Sequence, residues 1–90
     1  MNVELKGLYD EDQAARQRSA LAAAWVDLSE SDAARRRRVA ELIAAGAVED
    51  ADDNFHAAMV YQHGESLADI WRAHTLAEKA AALGHPGRRG

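Results

Sequence analysis

The chain has no cysteine, which excludes disulfides and thiolate metal sites. It has a single proline, few β-branched residues and no useful run alternating apolar and polar positions, so strand signals are almost absent. No apolar stretch approaches the roughly 20 residues of a membrane span. The opening Met1-Asn2-Val3-Glu4-Leu5-Lys6 also lacks the apolar core of a signal peptide. Excess positive charge is missing too: the formal net charge of −4 argues against a general nucleic-acid binder. These absences lead to the expectation of a cytoplasmic protein with no cofactor, no nucleic-acid partner and no membrane partner.

What is present is alanine. Apolar residues make up 48% of the chain, but 21 of them are alanine, which favours helix and buries little area. In 90 residues there is room for one small domain, expected to hide only about 60–65% of its unfolded surface. The core anchors are few: Trp25, Leu42, Ile43, Phe55, Met59, Tyr61, Ile70, Trp71, Leu76 and Leu83. High alanine and arginine usage also matches a GC-rich bacterial genome.

An all-α fold follows, a small four-helix domain over residues 1–84 with a flexible tail at 85–90. The acidic run at Asp10-Glu11-Asp12 suits the positive end of a helix dipole, so a first helix is expected from near Asp10 towards Trp25. Ser29 with Asp32 approximates a capping box for a second helix, carrying Val39, Leu42 and Ile43 at helical spacing and stopping at Gly46. A third helix begins within Asp50–Asp53 and ends at Gly64. It is apolar nearly all round from Phe55 to Tyr61, which places it in the middle of the bundle. A fourth runs from about Leu67 to Leu83, with Ile70, Ala73, Leu76, Ala77, Ala80 and Leu83 on one stripe facing the third.

Candidate sites come from four groups. His56 and His63 share a helix face, but seven residues span roughly 10 Å, too far for one ion, and no H-x3-H or H-E-x-x-H spacing occurs. Asp52 and Asp53 are placed to orient the His56 ring, and convergence with His74 would be needed for a metal or acid–base site; no metal site is expected. Asp12 and Arg16 are spaced for an i, i+4 ion pair. A sharper arrangement sets Asp12, Gln13 and Arg16 opposite Gln62 and His63, in a cleft between helices one and three that would bind an anionic or amide-bearing ligand. The run Arg35-Arg36-Arg37-Arg38 spreads around a helix. It reads as a solvated or ion-paired surface, with Arg35 and Arg36 as secondary partner contacts. Trp71 reads as core sealing the fourth helix, the alternative being a semi-exposed anchor beside His74 and Glu78. The serines lack a nucleophile-elbow motif, which sets a nucleophilic triad aside.

Tyr61, Gly64, Asp69, Ala73, Lys79-Ala80-Ala81, Gly84 and His85-Pro86 together resemble one Sel-one-like repeat, a tetratricopeptide-type helical hairpin, over about residues 55–86. The loop Glu65-Ser66-Leu67-Ala68 lacks that family's second loop glycine, and the aromatic pair usual in its second helix is missing. Through Asp12-Gln13, Arg16 and Gln62-His63-Gly64, the whole chain is also similar to a family of small bacterial proteins of unknown function. That resemblance implies longer relatives with a further helix after Gly84-His85, leaving the groove beside helix four open here.

Such repeats stack in series, each burying its neighbour's exposed face. The expectation is therefore a protein–protein interaction module or self-assembling adaptor, with a protein partner or a second copy as a homodimer. Its contacts would be Trp71, His74, Glu78, Arg35 and Arg36, and no catalysis is favoured. The rival is a small enzyme or ligand-binding protein using Asp12, Gln13, Arg16, His56 and His63. A third possibility, suggested only by the Gly/Arg-rich end, is a scaffold or precursor whose tail is processed.

Overall fold

A computed structural model describes residues 1–21, 29–64 and 66–86. They form an all-α domain of four helices: α1 (Val3–Leu21), α2 (Ser29–Ala44), α3 (Ala51–Gln62) and α4 (Leu67–Ala82). Trp25, expected in the core at the end of the first helix, lies outside the described residues, as do residues 87–90.

The first helix begins seven residues before the acidic run at Asp10 that was expected to start it. Its start is set by Asn2, whose side-chain oxygen accepts the Leu5 N–H at 3.0 Å, satisfying an amide that has no partner within the helix. Leu5 is then fully buried, and Leu8, Tyr9, Asp12 and Ala15 continue the inward stripe. One carboxylate thus falls on the core-facing side of α1.

The helix ends follow different physics. Gly46 (φ +75°) and Gly84 (φ +98°) adopt the left-handed conformation that side chains disfavour. The next amides, of Ala47 and His85, reach back 2.9 Å to the carbonyls of Leu42 and Ala80. Gly64 is not such a turn: a Cβ there would overlap the Asp69 side chain, so that glycine is needed for close approach. Helix α3 still ends beside it, at Gln62, with His63 as its cap and the Gly64 N–H donating to the Tyr61 carbonyl at 2.9 Å. Asp50 caps α3 by accepting the Asp53 N–H at 2.7 Å, and Ser66 caps α4 by accepting the Asp69 N–H at 3.1 Å.

Helix α3 packs against each of the other three. It has Asp53, Asn54, His56, Ala57, Ala58, Val60 and Tyr61 all buried, as its nearly continuous apolar sequence predicts. Leu5, Val39, Leu42, Ala57, Val60, Tyr61 and Ala73 form the core. Each large aliphatic among them contributes at most about 1.5–3 kcal/mol by leaving water. The carboxylate of buried Asp53 accepts the backbone N–H of Asn2 at 2.7 Å, tying the start of α1 to α3.

Helix α4 packs against α3 alone among the described helices. Its contact side is built from Ala73 and Ala80, which are buried, with Leu76 and Ala77 partly covered. Ile70 and Leu83, expected on that stripe, are 46% and 50% exposed. The alanines bring the two helices close, and the bulkier residues at its margins stay outside.

Candidate functional site: an ion-paired junction and an open helix face

The polar junction is built where α1, α2 and the end of α3 meet. Asp12 is 1% exposed, and His63 Nδ1 lies 3.0 Å from its Oδ2. Both Asp32 oxygens are taken: Arg35 Nη2 donates to one at 2.6 Å and Arg16 Nη2 to the other at 2.7 Å. The Arg16 and Arg35 guanidinium groups also each stand 3.9 Å from Asp12. Arg36 extends the junction to α4, with Nε 3.3 Å from Asp69 and Nη1 donating to the His63 carbonyl at 3.4 Å. Three carboxylates therefore face three guanidinium groups, with His63 at their edge.

Burial alone would raise the Asp32 carboxyl. The hydrogen bonds from Arg16 and Arg35 outweigh it and hold the group below its ordinary value. Asp32 was expected to cap α2; its carboxylate instead spans α1 and α2. Arg35 and Arg36 were expected as partner contacts. They lie on the inward side of α2, and a partner would have to displace buried ion pairs to reach them. Only Arg37 and Arg38 point outward, and Arg38 is engaged by Glu4 (3.0 Å from Nη2) and Glu41 (2.8 Å from Nη1).

Of the proposed cleft, Asp12, Gln13, Arg16 and His63 do converge, with Gln13 Nε2 donating to Asp12 at 3.4 Å. Gln62 does not join them, because it lines a groove on the other side of α3. His56 is also apart from them, buried with its ring 4.8 Å from Tyr9 and 6.0 Å from Phe55. Its Nδ1 is buried without a hydrogen-bond partner. Desolvation lowers its pKa from the ordinary 6.5, the opposing influence of Asp52 being smaller. Asp52 and Asp53 do not orient that ring as expected: Asp53 holds the Asn2 amide, and Asp52 lies 3.5 Å from His85. His85, counted from sequence with the flexible tail, stacks on Phe55 at 4.2 Å.

Chemically, a carboxylate at Asp12 is matched by the Nδ1–H tautomer of His63. Such a pair can move a proton or hold a small polar ligand beside Arg16. Among the described residues, no group of three or more His, Asp or Glu side chains is arranged to hold a metal ion.

The second feature is the outer face of α4. Leu67 is 88% exposed and Trp71 69% exposed, which corrects the expectation that Trp71 seals the core. Position 71 lies opposite the alanine seam, and none of the other described helices covers it. The Trp71 ring stacks on His74 at 5.5 Å, and His74 Nε2 lies 3.5 Å from Glu78. Beside this face a groove of about 370 Å³ runs between α3 and α4, lined by Met59, Gln62, Ile70, Ala73, His74 and Ala77 among others. Sequence periodicity could have found this surface: Leu67, Ile70, Trp71 and His74 are spaced three and four apart, a second stripe facing away from Ala73 and Ala80.

Among the described residues, no helix is long and apolar enough to cross a membrane. No family model, no curated protein and no solved structure matches this chain.

Proposed function

We propose that the chain is a protein-interaction module whose recognition element is the α3–α4 hairpin, used in the manner of a single tetratricopeptide-type, Sel-one-like repeat. One observation carries the reading: among the described helices α4 packs on α3 alone, and it turns Leu67, Ile70 and Trp71 to solvent beside an apolar groove. Large aromatic and aliphatic side chains grouped in this way are uncommon on a surface that stays uncovered, and tryptophan is among the residues that dominate interface energy. The test is affinity capture with the purified chain against its Trp71→Ala and Ile70→Asp variants. Binders captured by the wild type and lost with both variants support the reading. Equal capture by all three, with circular dichroism unchanged, sinks it.

A second reading is favoured by the meeting of Asp12, Gln13, Arg16 and His63: a polar site for a small anionic or amide-bearing ligand. Acetate and inorganic phosphate are the first probes. Saturable shifts of the His63 ring resonances, abolished in Arg16→Gln, would support it; shifts no different from those of His74 would end it.

A further inference from the structure

Resting on the interaction reading above, we propose that the occupant of the α4 face is a second copy of this chain, its α4 antiparallel to the first across a two-fold axis. The exposed stripe of α4 is divided by size. Its N-terminal half carries Leu67, Ile70 and Trp71; its C-terminal half carries Ala81 and Ala82 around Glu78, while exposed Leu83 lies at the helix end, off this stripe. Two identical parallel stripes would set bulk against bulk and leave the alanine halves facing a gap. Antiparallel stripes set bulk against alanine twice, as the isologous interface of a two-fold dimer requires.

Polar pairing fixes the register. His74 and Glu78 lie one turn apart on the stripe and 3.5 Å from each other. Pairing His74 of each copy with Glu78 of the other places the axis midway between them, near position 76. Trp71 then falls opposite the partner's Ala81, and Ile70 opposite the partner's Ala82. The same register closes two His–Glu contacts at the centre, where a parallel pair would place His on His and Glu on Glu. Side-chain size and polar pairing are independent of each other, yet they select one arrangement. A single helix pair of about 24 Å is a small interface, so the dimer is weak, with a dissociation constant on the order of micromolar.

The absence of native cysteine makes the register directly readable. Full-length chains carrying His74→Cys alone or Glu78→Cys alone are prepared, and each is oxidised separately and as a mixture. The wild type is followed by sedimentation or light scattering over a range of concentrations. The expected results are a concentration-dependent rise from 9.8 kDa to twice that mass, disulfide-linked dimer formed preferentially in the mixture, and self-affinity weakened roughly 30-fold in Trp71→Ala. Since Trp71 is exposed, that variant should keep the wild-type helical spectrum. Dimer with cross-links confined to each single variant overturns the antiparallel register. A wild type that stays at 9.8 kDa while Trp71-dependent binders are captured overturns self-pairing and leaves the interaction reading standing. A monomer with no such binders overturns both.

Discussion

His63 Nδ1 lies 3.0 Å from the carboxylate of Asp12, joining the end of α3 to the middle of α1 across 51 positions of sequence. Asp12 is 1% exposed, so this carboxylate has little water to fall back on. A double-mutant cycle of Asp12→Asn and His63→Gln, read by urea unfolding, should return a coupling of about 1 kcal/mol or more. Additive single-variant effects would show that the two side chains are merely neighbours.

Asp32 carries more weight, because both its oxygens hold arginines that are themselves largely covered. Removing one partner of such a cluster strands the others. Asp32→Ala should therefore cost roughly 3 kcal/mol, the lower end of the range for buried pairs, since Arg16 keeps some contact with water. Its pKa is lowered on folding, so the contribution is present above the ordinary 3.8 and disappears as pH falls through the folded value. Asp32→Asn should flatten that acid limb of the stability curve; an unchanged limb would assign it to other carboxylates.

Acid should act earlier through His56. Burial lowers its pKa from 6.5, so on acidification the unfolded chain takes up this proton before the folded one. Stability is thus highest above 6.5 and declines as pH drops from there towards the folded value. Denaturant midpoints measured across that interval should fall in the wild type and fall less in His56→Gln. Parallel curves would locate the effect at another group.

The glycines should respond with opposite signs. Gly7 lies within α1, and a methyl group there meets nothing within 4 Å. Gly7→Ala should therefore stabilise by about 0.5–1 kcal/mol. At Gly64 the added carbon would overlap Asp69, which is held by Arg36, so Gly64→Ala should destabilise by roughly 1–3 kcal/mol. Thermal unfolding of the two variants decides the matter, and equal shifts would contradict the packing at Gly64.

Much of the fold was legible in the sequence because it is written in short-range chemistry. Asp50, Gly46, Gly84 and the apolar run from Phe55 to Tyr61 act within a few residues of where they stand. The start of α1 was missed because its cap, Asn2, is one unremarkable polar residue eight positions before the acidic run at Asp10 that marked the expected start. The junction was half legible: Asp12, Arg16 and His63 drew notice, whereas Asp32 and Arg35 looked like a cap and a surface charge. Their pairing joins separate helices, and no local pattern encodes which side of α2 the α1 carboxylate will face. Trp71 misled for a simpler reason, since a large aromatic side chain predicts burial only where a neighbour exists to provide it.

Among the described helices α4 packs on α3 alone, which has a consequence for motion. Such an element can detach while the rest of the domain stays folded, so its opening free energy is set by the alanine contact with α3 and the Arg36–Asp69 ion pair to α2 rather than by global stability. Its amide hydrogens should exchange ahead of those in α3, and anything that covers its outer face would slow them. The helix most open to contact is thus also the one whose order contact would most change.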